Sequence, residues 1–431
     1  MKTHIPAALL TLSALACQSD GATDSLPSQL RDSAGIQVIE NARPADGARL
    51  GWQIGPEPRL SIGVLEGDEP HMLFNVSDAT RLTDGRIVVV NVGTMELRAF
   101  DVSGAHVATW GGKGEGPGEF TDLHQVERLP GDSIIAWGWA PGPFTVLDPN
   151  GSFVRISSRK LPAAEGPSRQ LAPWSVTSDG LILASQYPKL YLVDPLTVEI
   201  WDAEGELRSS LGIHPSWEWN DFPNANTRWR ETIFGKRLVI AAWGELAVVT
   251  LRTRYEIKAY AADGSLARIV RLEHVPRATT AGDIETYIAA RVARIPEEST
   301  AARTQVREDN EATPVAEYCP AFASVRSDAV GHLWVEEYEL PGARRPAPLW
   351  TVFDPDGRVL GLVETPLGLE IYEIGEDYIL GRVESEPGVE SVQLWRLDRR
   401  STSQARGSRP NPPEQPERLG TGPTLTHASE P

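Results

Sequence analysis

The chain has 431 residues, 41% hydrophobic and 23% charged, the balance of a folded globular protein and not of a disordered one. Its net charge of −18, with no Lys/Arg cluster, excludes nucleic acid as a partner, because phosphate neutralisation needs a basic face. The acidity reads first as solubility and second as a cation-binding surface.

Lys2 and the apolar, small-residue stretch 5–16 form a secretory signal peptide, too short to span a bilayer. It ends in Ala14-Leu15-Ala16-Cys17, which resembles a bacterial lipobox, with Ala14 where a strong one carries Leu. The expectation is a lipoprotein signal over 1–17, a lipidated Cys17 and a tether over 18–30, so that the membrane is met only through the lipid. Ordinary cleavage near Ala16, leaving a free periplasmic protein, is the alternative. Gln18 in place of Asp favours, by resemblance to lipoprotein sorting, the outer membrane. No later stretch is apolar for long enough to be a transmembrane helix. With Cys17 acylated, Cys319 is the one thiol left, and its setting, Tyr318-Cys319-Pro320 entering a strand, reads as buried and structural.

The next feature is a repeat. A strand ends in an aromatic residue or Leu, then comes Asp and a turn closed by Gly: Phe100-Asp101 to Gly104, Leu147-Asp148 to Gly151, Trp201-Asp202 to Gly205, Tyr260 to Asp263-Gly264, and Phe353-Asp354 to Gly357. Leu397-Asp398 is a sixth copy without its glycine. Asp bonds its own backbone and Gly supplies positive φ, so each copy is a hairpin turn. The glycines are spaced by 47, 54, 59 and 93 residues; the first three are one four-stranded propeller blade each, and the last is a blade plus an insertion. A second element, a polar turn before a β-branched run, precedes most copies, as in Asp84-Gly85 before Ile87–Val90 and Asp179-Gly180 before Leu181–Leu183. The fold class is all-β, a six-bladed β-propeller over 31–398.

Trp110-Gly111-Gly112 to Phe120 resembles the blade-junction loop of NHL-repeat propellers. Together with Asp32 to Ile36, Arg98 to Asp101, Tyr255 to Ile257, Trp350 to Phe353 and Gly388 to Glu390, it resembles a family of bacterial six-bladed propeller lipoproteins. The resemblance spans roughly 31–398 and implies the fold; the family it points to has no assigned activity.

The last blade, near 367–398, has room for three strands, so Pro58–Val64 is expected to supply the fourth and close the ring. Ile36–Ile39 adds to the rim. Residues 276–312 read as a helical insertion between blades 4 and 5: Thr279 or Thr280 caps, Ile284, Ile288, Val292 and Ile295 form a stripe, Pro296 stops the first helix, and 297–309 forms a second. The insertion is either a buttress on the disc or a ligand lid. The tail 399–431, with six prolines and no apolar stripe, reads as disordered.

Propeller sites sit at one mouth of the central channel. Aligning the β-branched runs places Asn91/Val92, Gly138/Trp139, Ser185/Gln186, Ala242/Trp243, Glu337/Tyr338 and Val383/Glu384 at equivalent positions. Aromatic rings mixed with amides and carboxylates suit a sugar or peptide, held by stacking and hydrogen bonds; packing between blades is the competing role. The loop 214–229 is the second candidate: Trp217, Trp219 and Trp229 with Phe222 and three Asn in sixteen residues. The expected ligand-binding residues are therefore Trp139, Trp243, Tyr338, Trp217, Trp219, Trp229, Asn91 and Glu337, with no catalytic residue. No HExxH or paired-Cys pattern occurs, and His71, His124, His274 and His332 lie in different blades.

The leading reading is an envelope-anchored propeller that binds a small molecule, glycan, peptide or partner protein, with no cofactor. One rival is a lactonase-like hydrolase or lyase holding a divalent cation in the channel through Asn91, Glu337 and Glu384. Another is a scaffold within an envelope complex.

Overall fold

The structure, a computed structural model, describes residues 28–399 apart from 141, 158–169, 188–194, 224–227, 344 and 386–387. The signal segment, Cys17, most of the expected tether and the tail from residue 400 lie outside the described residues.

Six four-stranded antiparallel blades follow one another along the chain, the sheet of blade 4 being extended to six strands by two N-terminal strands. Blade 1 spans 76–111, blade 2 125–157, blade 3 170–214, blade 4 238–272 and blade 5 322–364; blade 6 joins 370–398 to 53–62. The turns between the third and fourth strands are the Asp–Gly repeats. Asp101 Oδ1 accepts the amides of Ser103 and Ala105 at 2.8 and 3.0 Å, and Gly104 has φ +84°. Asp148, Asp202 and Asp354 repeat that bonding on the amides two and four residues ahead. Gly151 has a second duty: a Cβ there would stand 2.0 Å from the Trp110 ring of blade 1, so the turn lies flat on its neighbour.

In five of the six blades the aligned β-branched run is the second strand, covered on both faces, and so reads as unbroken apolar sequence. Ile87–Asn91 is buried throughout. The core is correspondingly divided into six apolar clusters, one between each pair of adjacent blades. At an apolar burial of ~25 cal/mol per Å2, these interfaces are what hold the disc together.

The innermost strands are Val76–Arg81, Gln125–Arg128, Gln170–Val176, Leu238–Trp243, Phe322–Ser327 and Glu370–Ile374. Polar bonds pass from blade to blade, mostly along these strands. Asp78 accepts the Val126 amide at 3.0 Å, Glu127 the Val176 amide at 2.7 Å, and Ser175 Oγ the Ala242 amide at 3.4 Å. Trp243 Nε1 donates to the Gly331 carbonyl at 2.7 Å, and Arg326 to the Tyr372 carbonyl at 3.3 Å. Glu373 closes the circle by accepting the Arg81 amide at 2.9 Å and the Thr80 hydroxyl at 2.7 Å. Every junction thus carries a side-chain hydrogen bond.

Ring closure uses the N-terminal strand Gln53–Ile62, antiparallel to Val389–Asp398, with Val392 opposite Ile62 and Leu394 opposite Leu60. The strand expected at the rim precedes it, with a partner the sequence did not indicate. Ile36–Asn41 pairs in parallel with Leu266–Leu272 on the outer edge of blade 4, and Ser28–Ser33 folds back on it, starting inside the stretch expected as tether. The chain then crosses blade 5, where Leu50 donates to Leu362, before entering blade 6. Asn41 pins this strap: its Nδ2 donates to the Arg271 and Gly357 carbonyls, and its Oδ1 accepts the Val359 amide at 2.9 Å.

The insertion between blades 4 and 5 contains helices α1 (Ala281–Val292) and α2 (Thr300–Glu311). Thr280 caps α1 in a reciprocal box with Asp283. Among the described residues no helix is long and apolar enough to cross a membrane.

Candidate functional site

Antiparallel alternation assigns every loop to one end of the disc. Turns between first and second strands, and between third and fourth, fall at one end. Connectors between blades, and loops between second and third strands, fall at the other. The long described connectors between blades, 63–75, 112–124, 215–223 with 228–237, and 273–321, belong to this second end.

The densest cluster there lies over blades 3 to 5. Trp174, on the innermost strand of blade 3, is held by its Nε1 bond to Ser185 Oγ and meets Trp217 edge-to-face at 6.2 Å. Trp217 meets Trp219 at 6.0 Å. All three indoles are partly exposed. Trp219 opens a short hairpin in which it pairs with Glu231, and Asp221 with Trp229. Arg228 lies over the Trp229 ring and bridges Asp221 at 2.9 Å. Arg230 lies 4.2 Å from the Phe222 centroid and bridges Asp309 of α2 at 2.8 Å, so hairpin and helices form one cap. Next, Phe234 is buried with φ +59°, a left-handed conformation unusual for an aromatic residue. Its ring stands 5.4 Å from Tyr287 of α1 and 6.4 Å from Tyr338. Burial pushes the Tyr338 phenol up to about 12.

The expected residues divide accordingly. Trp219 and Trp229 lie on the hairpin and Trp217 meets Trp219 just before it, while Tyr338 belongs to a separate aromatic contact with Phe234. Trp139 is 75% exposed at the same end but on blade 2, where its ring meets His124 at 4.8 Å. Asn91 is fully buried, bonded to the Phe74 amide and Thr94. Glu337 is buried and takes Arg43, the Tyr255 hydroxyl and the Thr351 hydroxyl. Glu384 is exposed.

Trp243 stands elsewhere, and this corrects the alignment. Leu238–Trp243 is the innermost strand of blade 4, not the second, so Trp243 ends it at the opposite face of the disc. It is buried beneath Arg268 and bonded to Gly331. The equivalent run is Leu246–Leu251, which brings Arg252 to the mouth instead. Two similar apolar runs in succession caused the slip; the turn Gly244-Glu245 between them was the available signal.

In the channel, Asp78 and Glu127 are partly reached by water yet walled by protein. Desolvation raises Asp78 to about 7 and Glu127 to about 8, against amide bonds and the Arg326 charge, which pull both down. Among the described residues no group of three His, Cys, Asp or Glu is placed to hold a metal ion.

No known protein-family model matches the chain, and no curated protein matches it in sequence. Solved structures with a similar fold include a Bacteroides fragilis protein described as exported, at 14% identity, covering 84% of this chain and 99% of its own, TM-score 0.48. A member of the duf4221 family from Bacteroides vulgatus follows at 10% identity, 80% and 98% coverage, TM-score 0.47. A calcium-binding regucalcin from Agrobacterium tumefaciens has 10% identity, 75% and 91% coverage, TM-score 0.37. The six-bladed propeller expected from the sequence resemblance stands on the blades described above.

Proposed function

We propose that this chain is an exported, envelope-anchored propeller, tethered through a lipidated Cys17 to the outer membrane, that binds a ring-bearing ligand on its long-loop face. The ligand is a sugar or peptide fragment laid against Trp217 and Trp219, with Trp174 behind them and Trp229 and Tyr338 at the margins. One observation carries this reading: three indoles in consecutive edge-to-face contact remain partly exposed at the end of the disc where the connectors between blades gather. Aromatic edges left partly open to water, beside polar groups, are what stacking recognition requires.

The test is a titration of the protein with a panel of soluble oligosaccharides and aromatic peptides, followed by Trp fluorescence and calorimetry. Saturable binding that Trp217→Ala and Trp219→Ala abolish, with the melting temperature nearly unchanged, is the expected result. Binding that survives both changes while stability collapses would make these residues core. Mass measurement of the purified lipoprotein decides the anchor: acylation on Cys17 supports it, and a free N-terminus near Ala16 overturns it.

A further inference from the structure

In blade 4 Leu238 stands opposite Leu251 on the first and second strands. The next rung therefore sets Arg237 against Arg252, and the Arg252 amide donates to the Arg237 carbonyl at 3.3 Å. Directly opposed residues of an antiparallel pair project from the same face with Cβ atoms roughly 5 Å apart, and like charges so placed repel.

Arg237 is partly compensated. Its Nη2 pairs with Glu231, and its guanidinium carbon lies 5.8 Å from the Trp217 ring centroid, but its Nε is buried without an acceptor. Arg252 has no such partner. Its guanidinium makes no hydrogen bond or ion pair among the described residues, and its Nε is likewise buried and unpaired. Besides Arg237, the groups acting on it are Glu231, Tyr338 and Tyr287, of which Glu231 is the one carboxylate. Burial and the Arg237 charge together lower its affinity for a proton, to about 10.

A guanidinium offers five donors in a planar fork, and burying even one of them, here each Nε, without an acceptor is costly. Composition does not explain the omission, since the chain has 59 acidic residues against 41 Lys and Arg. Glu231 pairs with Arg237 and acts on Arg252, so two opposed positive charges share one carboxylate and are one negative charge short, and Arg237 lies beside the Trp217 ring.

We propose that Arg237 and Arg252 form an oxyanion site, in which a carboxylate or phosphate group of the ligand sits between the two guanidiniums while the ligand's ring rests against Trp217. This deepens the binding reading given above and depends on it for the ring contact: the ligand is acidic as well as ring-bearing. Arginine forks suit such groups because they bind both oxygens at once.

Three probes separate the contributions: inorganic phosphate, which is an anion without a ring; benzoate, which has both; and benzamide, which keeps the ring and lacks the charge. Each is titrated by calorimetry into the full protein at constant ionic strength set with sodium chloride. Phosphate and benzoate are expected to bind saturably, and benzamide at least tenfold more weakly than benzoate. Arg252→Gln and Arg237→Gln should each weaken phosphate and benzoate about tenfold and leave benzamide unchanged. Arg252→Lys keeps the charge and should retain phosphate binding, which guards against a folding defect. Equal affinity for benzoate and benzamide, or phosphate binding indifferent to Arg252→Gln, would overturn the oxyanion site. Arginine-dependent phosphate binding with no effect of Trp217→Ala on benzoate would uphold that site and sink the ring contact instead.

Discussion

Glu373 on blade 6 accepts the backbone N–H of Arg81 on blade 1 at 2.9 Å, joining the last blade in the sequence to the first. The same carboxylate takes the Thr80 and Tyr378 hydroxyls. Glu373→Ala strips three donors of their acceptor and should cost about 2–3 kcal/mol, read as a lower denaturation midpoint at unchanged slope. Glu373→Gln keeps an acceptor and should lose less. Equal losses would show that the carboxylate acts there by its charge.

The channel carboxyls make stability depend on pH. Asp78 and Glu127 have folded pKa values raised to about 7 and about 8, above unfolded values near 4. The folded state therefore holds their protons more tightly, so the linked stability is complete below about pH 4 and is lost as pH rises through 7–8. Arg326 pulls both down, while Glu373 raises Asp78 and Asp78 raises Glu127. The protein should melt higher at pH 5.5 than at pH 8.5, and the double variant Asp78→Asn, Glu127→Gln should flatten that difference. A difference unchanged in the double variant would assign the pH dependence to other groups.

Asn41 binds the strap to two blades through three hydrogen bonds. Asn41→Ala leaves buried groups on blades 4 and 5 unpaired, and a loss of about 2–3 kcal/mol is expected. Amide exchange should quicken at Gln37–Asn41 and Val359. Acceleration spread evenly over all blades would mean instead that the strap governs the entire disc.

Trp243 supplies a control for the location of the binding face. Trp243→Phe keeps most of the apolar contact and removes the bond to Gly331, so a loss of about 1–2 kcal/mol is expected. Binding of aromatic ligands should not change, because Trp243 lies at the other end of the disc. Lost binding with normal folding would place the site there.

Several of these features could be read without coordinates because they are local. An Asp that bonds the amides two and four residues ahead, followed by a glycine at positive φ, specifies its turn within five residues, and the interval between such turns is one blade. The helical insertion likewise announced itself through the Thr280 cap and the stripe of Ile284, Ile288 and Val292. The aromatic richness of 214–229 was visible, although composition alone could not say that Trp217 and Trp219 would meet. Trp174, 43 residues before Trp217, carried no local sign of sharing their cluster.

Six blades, ring closure from the N-terminal side and an insertion after blade 4 follow from turn chemistry and spacing, which depend on residues near one another in the chain. Which run is the first strand of a blade and which the second depends on pairing across the sheet, and so the end of the disc occupied by Trp243 was settled only in three dimensions. The same holds for the blade on which Ile36–Asn41 settles, for the return strand Ser28–Ser33 and for the pairing of Arg237 with Arg252. These are relations between neighbouring strands or between distant segments, and they arise from register and burial, which no single stretch of sequence encodes.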